Sequence, residues 1–218
     1  METAEMNVVR KIADTLALVA RAFEREADDD LLARVRAYGD APLMGLPEES
    51  QKLADRGKRQ IASAIASYDE AQDKALWKDY LDAAYAELFL GVSKDPIAPF
   101  ESVYASSEKT LYARQYFAVV DLMSEIGYAK PDDFKEPKDH LAIELGLYAK
   151  LLDDACDAAD ANDADAATQS LAYARVLKED HLDAWVAKAC DDLIEHDDSK
   201  GFYSGMANLA KAALVTLG

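Results

Sequence analysis

Histidine is scarce in this sequence: three in 218 residues, His140, His181 and His196. Cysteine is scarcer still. Cys156 and Cys190 sit in helical apolar patterns without CxxC spacing, so metal ligands are few and two reduced, buried thiols are expected. No run approaches the roughly 18 apolar residues that a membrane span needs. There is no P-loop, no GxGxxG and no nucleophile elbow, which removes the loops that cradle phosphates and the strained turn that exposes a catalytic serine. Residues 1–7 are acidic and lack the basic and apolar regions of a secretory leader. Basic side chains number 24 against 42 acidic ones, a net charge of −18. Such a surface repels nucleic acid and anionic lipid and steers basic peptides toward it, although solubility alone also explains it. These absences predict a soluble, cytoplasmic protein without stable membrane insertion, nucleic-acid partner or cofactor.

What is present points to helices. Half the residues are hydrophobic, which excludes disorder despite the charge. Ala, Leu, Asp, Glu and Lys dominate, and β-branched runs are scarce. The six prolines all lie at or before Pro137, so residues 138–218 are free to be nearly continuous helix and short turns. Val9, Ile12, Leu16, Val19 and Phe23 space as a first amphipathic helix. Asp28-Asp29-Asp30 caps a second with Leu31, Leu32, Val35 and Tyr38, and residues 39–46 form a loop. Pro47 opens a third with Leu53, Gly57, Ile61, Ala64 and Tyr68. A break at 69–73 precedes a broader apolar helix that Gly91 closes. Residues 92–105 read as the longest extended connection. Tyr112, Tyr116, Val119 and Met123 mark another helix, closed by Gly127. After 137, Asn162-Asp163 makes a turn, and helices follow around Leu171 and Leu177, around Trp185 and Cys190, and around Phe202 and Leu209. The fold predicted is an all-α bundle of about nine to eleven helices, either one domain or two closely packed halves, 1–126 and 137–218 around a polar linker at 127–136. No fixed repeat period argues for a solenoid.

The chain is organised around Phe134-Lys135-Glu136-Pro137-Lys138-Asp139-His140-Leu141. Pro137 suits a first helical turn, and Asp139 just after it complements the helix dipole. Leu141, Leu145, Tyr148 and Leu152 then give one apolar face, and the helix is predicted to run from Pro137 to about Ala161. If all are helical, Glu136, His140 and Glu144 share another face. His140 with Glu136 or Glu144 then makes an i,i+4 pair of possible metal ligands, with no third ligand visible. The competing readings are a helix-start histidine bonded to a carboxylate, and a peptide contact. Asp153, Asp154, Asp157, Asp160, Asp163 and Asp165 read as a solvated face rather than a calcium loop. Gly201 and Gly205, spaced as GxxxG, read as close helix packing.

Glu136, Pro137, Asp139 and His140 resemble the E-P-x-D-H signature of the TorD/DmsD/NarJ family. Tyr85 through Gly91 is similar to that family's Y-x-x-L-F-x-G block. Pro99, Ser102 and Tyr104 resemble its P-x-x-S-x-Y segment. His181-Leu182-Asp183-Ala184-Trp185 followed by Phe202-Tyr203 resembles its H-L-x-x-W and F-Y pattern. The blocks come in family order and span nearly the whole chain. The resemblance implies a non-enzymatic cytoplasmic chaperone, monomeric or homodimeric. Its partner would be the catalytic subunit of a molybdopterin oxidoreductase, bound through its twin-arginine signal peptide or in the apo-form before cofactor insertion and export. A NarJ-like factor for a non-exported subunit is the near alternative.

The client-binding residues expected are Tyr85, Phe89, Phe100, Glu101, Ser102, Tyr104, Glu136, Pro137, Asp139, His140, Glu144, His181 and Trp185. The aromatics would line an open groove, and Glu101, Glu136, Asp139 and Glu144 would place negative charge at its rim, complementing a leader with a basic end and an apolar stretch. The plainer reading makes the aromatics core and the carboxylates caps, and is favoured for Leu88 and Phe89. Two other classes compete: a metal-dependent helical enzyme centred on His140, and a general adaptor for basic helical peptides.

Overall fold

The computed structural model describes residues 3–38, 43, 46–92 and 97–216. Among them are ten α-helices, one five-residue π-helical turn and a single isolated β-bridge, with no named strand. The all-α expectation holds. The helices are α1 (Thr3–Glu24), α2 (Asp29–Tyr38), α3 (Glu48–Glu70), α4 (Lys74–Phe89), α5 (Glu101–Tyr104), α6 (Arg114–Glu125), α7 (Leu141–Asp160), α8 (Ala164–Leu177), α9 (Asp183–His196) and α10 (Phe202–Thr216), with the π turn Lys178–Leu182 joining α8 to α9. The predicted loop at 39–46 falls largely outside the described residues.

Local chemistry sets most boundaries. The Asp28 side chain accepts from the Leu31 amide at 2.8 Å and starts α2, and Asp73 and Asp163 do the same for α4 and α8, each at 3.0 Å. Gly91 and Gly127 follow α4 and α6 with φ of +68° and +69°, the left-handed conformation that ends a helix at least cost in glycine. Cys156 and Cys190 are both unpaired and buried, and burial pushes the Cys190 thiol up to about 12, far from reactive. No helix among the described residues is long and apolar enough to cross a membrane.

Two expectations fail. The helix does not begin at Pro137. Residues 137–140 form a turn closed by the His140 amide on the Pro137 carbonyl at 3.2 Å, and α7 starts at Leu141. The reason is tertiary: the backbone here pairs with residues 99–101, and that pairing holds His140 extended, with ψ of 142°. Glu136 is therefore not on a helical face with His140. Nor do two separate helices flank His181, because the chain stays helical through the π turn.

The chain divides into two compact units, each discontinuous. One comprises Met1–Ala20 and Pro99–Ala187, the other Arg21–Ala98 and Lys188–Gly218. The polar stretch 127–136, expected as a boundary, lies inside the first. In that unit α7 packs against α8 across a three-residue turn. Arg10 of α1 reaches Asp153 and Asp157 at 2.9 Å and Asp160 at 2.8 Å along one face of α7. The acidic tract is thus a solvated face with Arg10 laid across it and Lys150 paired to Asp154 at 2.6 Å, and pairs this exposed are worth under about 1 kcal/mol each.

In the second unit α3 and α10 cross at two glycines. A Cβ on Gly57 would stand 2.7 Å from the Gly205 carbonyl, and one on Gly205 would stand 2.9 Å from the Gly57 carbonyl and 2.6 Å from Ile61 Cγ1. The GxxxG spacing is thus a packing device, and its partner glycine is Gly57. Gly57→Ala is expected to lower stability by about 1–3 kcal/mol, because the obstructing atom is backbone and the helices must part. A urea unfolding midpoint unchanged from wild type would show that the crossing yields freely.

Candidate functional site

The candidate site lies in the first unit and is built on backbone. The Leu141 amide donates to the Pro99 carbonyl at 2.8 Å, and the Glu101 amide donates to the Asp139 carbonyl at 2.9 Å. Between them Phe100 and His140 form an antiparallel bridge. This short ladder brings the Pro99–Tyr104 and Glu136–His140 blocks together.

Two consecutive side chains then cap two different helices. Asp139 Oδ2 accepts from the Ser102 amide in α5 at 3.0 Å. His140 Nδ1 accepts from the Ala142 amide at 3.1 Å and caps α7. The His140 ring packs edge-on against Phe100 and Phe134, with centroids 5.2 and 5.0 Å away. Burial among these rings pushes its pKa down to about 3. His140 is therefore neutral, and accepting at Nδ1 places its proton on Nε2.

Behind the caps runs a buried chain of acids. Glu101 is 1 % exposed, and its two carboxylate oxygens lie 3.1 and 2.9 Å from His181 Nδ1. His181 is delivered by the π turn, where one extra residue per turn shifts the side-chain register. Glu144, fully buried, accepts from Trp185 Nε1 at 3.0 Å. Burial first, then the neighbouring Glu101 charge and that of Asp139, push the Glu144 carboxyl well above its usual range and favour its protonated form. Its Oε1 has no protein hydrogen-bond partner. Trp185 with Glu144 and His181 with Glu101 are thus two buried pairs side by side, and a proton held by Glu144 lets the two carboxyls share a dry site. Ser102 Oγ and Asp139 Oδ1 have no protein partner.

Of the thirteen residues predicted, the fold gathers nine: Phe100, Glu101, Ser102, Tyr104, Asp139, His140, Glu144, His181 and Trp185. The expected negative rim does not form, because Glu101, Asp139 and Glu144 are all buried. The outward members are Tyr104, half-buried with its ring 5.7 Å from Trp185, and the half-buried Glu136 and Pro137. The Glu136–His140 ligand pair has lost its helical premise, and His140 Nδ1 is engaged by backbone. Among the described residues no three His, Cys, Asp or Glu side chains are placed to hold a metal ion.

Tyr85 and Phe89 belong to the second unit, where they are core. Phe89 packs on Phe23 at 5.2 Å and Tyr203 at 5.8 Å, and Tyr85 stacks on Phe89 at 4.9 Å. Phe134, the π turn and the roles of Phe23 and Tyr203 in these clusters carry no local sequence signal, since each depends on partners far along the chain.

Comparison with known proteins places these blocks in a wider frame. Residues 49–191 match the family described as nitrate reductase delta subunit. The chaperone protein TorD of Shewanella sp. (strain MR-4) is 28% identical over 226 residues, covering 97% of this chain and 93% of that protein. The chaperone protein TorD of Salmonella agona (strain SL483) is 29% identical over 202 residues, covering 91% and 86%. That of Escherichia coli O139:H28 is 30% identical over 142 residues, covering 65% of each.

Proposed function

The chain belongs to the nitrate reductase delta subunit family, the TorD/DmsD/NarJ family, and we propose that it is a molybdoenzyme-maturation chaperone rather than an enzyme. In this reading it works in the cytoplasm. It holds the signal peptide or apo-form of a molybdopterin oxidoreductase subunit until the cofactor is inserted. The observation that carries the reading is similarity along nearly the full chain to proteins named chaperone protein TorD. The net charge of −18 agrees with a client segment that has a basic end. The family description, which names a nitrate reductase, favours a second reading, a NarJ-like factor whose client is not exported.

The test is a tagged pull-down from the native host grown by anaerobic respiration, with mass spectrometry of what co-purifies. A molybdoenzyme subunit still carrying its leader supports the first reading. A leaderless redox subunit supports the second. Recovery of no redox subunit while the client is expressed removes both.

Contact with the client falls to the outward residues Tyr104, Glu136 and Pro137, with the buried acids holding that face in shape. Glu136→Lys is expected to weaken client binding about tenfold with a stability change below about 1 kcal/mol, as for a surface polar residue. Asp139→Ala is expected to lower both, because it strands the buried Ser102 amide at a cost of about 1–3 kcal/mol. Calorimetric titration of the client's leader peptide and urea unfolding separate the two effects. Wild-type affinity in Glu136→Lys would take this face out of the client contact.

A further inference from the structure

Helix α6 buries one face only, through Val119, Leu122 and Met123. Its other face presents Arg114, Phe117, Ala118 and Asp121, all exposed. Spacings of i, i+3, i+4 and i+7 put these four in one row along the helix. Phe117 is 57 % exposed, and Tyr112, just ahead of the helix, is 55 % exposed. Tyr112 is held at a φ of +61°, a conformation that costs a bulky side chain. Its ring meets Tyr116 edge-on at 4.9 Å, and Tyr116 meets Phe117 at 5.3 Å. Phe117 therefore stands in solvent on a fixed aromatic support, in an apolar patch of the kind that marks a protein contact.

The row is self-complementary. It runs cation, ring, methyl, anion, so a two-fold axis between Phe117 and Ala118 would set an antiparallel copy of α6 with opposite charges and unequal volumes face to face. Arg114 and Asp121 cannot meet within one chain, being about 10.5 Å apart along the axis, and neither pairs with another side chain among the described residues. Arg114 also opens α6, where the dipole of its own helix disfavours a cation. Beside an antiparallel helix it would face the C-terminal half, the end that favours one. Ala118, a single methyl, leaves room for a facing ring at the roughly 8–10 Å axial distance of helix packing.

We propose that α6 is the contact of a symmetric dimer, docking on α6 of a second copy of this chain. Each Phe117 lies against the partner's Ala118, and each Arg114 pairs with the partner's Asp121. Such a contact uses the same patch twice and closes at two copies. One helix per copy falls below the roughly 1,200 Å² of a standard interface, and the net charge of −18 on each copy opposes approach, so the dimer is weak and reversible. It makes no use of Tyr104, Glu136 or Pro137 and stands without the client reading.

The test is sedimentation velocity of the full chain from about 5 μM to about 1 mM, which reaches dissociation constants up to about 1 mM. Wild type is expected to pass from monomer to dimer across that range. Arg114→Asp and Asp121→Arg each set like charges face to face, and each should weaken association at least about tenfold. Mixed in equal amounts the two variants should associate again, because every facing pair is then opposite in sign. Phe117→Ser should weaken the wild-type dimer as well. Both charge changes bring α6 the sign that its own dipole favours, and circular dichroism checks that the helices are kept. A wild-type monomer throughout, a single charge variant that dimerises within about twofold of wild type, or a mixture no better than either variant alone would each overturn the proposal.

Discussion

His181→Ala is expected to lower folding stability by about 1–3 kcal/mol, the cost of leaving a buried acceptor without its hydrogen bond. The Glu101 side chain would remain 1 % exposed with its ring donor gone, beside a Glu144 carboxyl on which burial already favours the proton. The π turn adds to the effect, since the irregular helix holds its extra residue against the contacts of Lys178, His181 and Leu182, all buried. His181→Asn, whose side-chain amide can still donate toward Glu101, is expected to recover part of the loss. Urea unfolding of the three proteins decides it. A loss below about 1 kcal/mol for alanine would mean that water replaces the imidazole and that the His181–Glu101 pair is not structural.

Glu144→Gln is expected to raise stability at pH 8 and to change the shape of the pH profile. The sign follows from linkage. Glu144 keeps its proton in the folded state but ionises near 4.5 when unfolded. Its contribution is complete below 4.5 and declines as pH rises, by up to about 1.4 kcal/mol per unit, until the folded carboxyl ionises. His140 works in the opposite sense. Held neutral in the fold with a value of about 3 against 6.5 unfolded, it costs stability as pH falls below 6.5. Between 4.5 and 6.5 the two trends oppose each other. Glutamine reproduces the uncharged form, with its side-chain oxygen accepting from Trp185 as Glu144 does, and it cannot ionise. The difference between wild type and variant should therefore widen as pH rises above 4.5. A constant difference across that span would show that Glu144 is ionised in the folded protein.

The helices were largely legible in the sequence because their signals are local. Asp28, Asp73, Asp163, Gly91 and Gly127 each act within a turn of where they stand, and the buried stripe of Val9, Ile12, Leu16, Val19 and Phe23 follows from spacing alone. Pro137 misled for the same reason. Its preference for a first helical turn is real, but the backbone pairing between residues 99–101 and 139–141 outweighs it, and no local window of sequence contains both segments. The membership of the site was legible through the family blocks, yet its character was not. Glu101, Asp139 and Glu144 look like surface charge when read singly, and only the 41-residue span from Glu144 to Trp185 and the 80-residue span from Glu101 to His181 turn them inward. The GxxxG spacing gave half of a contact whose other half, Gly57, lies on α3.

The interleaving of the two units bears on how the protein is made. Arg21–Ala98 needs Lys188–Gly218 to close its core, so α3 leaves the ribosome long before α10, the helix that fits its Gly57 face. Everything from Pro99 to Ala187 is synthesised in between, which at usual elongation rates takes on the order of ten seconds. The intervening unit is in a different position, since all its segments have emerged by Ala187. Vectorial synthesis therefore favours completion of the unit that holds the candidate site first. Through that interval Ala54, Gly57, Ile61 and Ala64 stay exposed on the nascent chain, where other hydrophobic-binding factors can reach them. A slow-translating stretch anywhere between the codons of Ala98 and Thr216 would lengthen this exposure, whereas one before Glu48 would not.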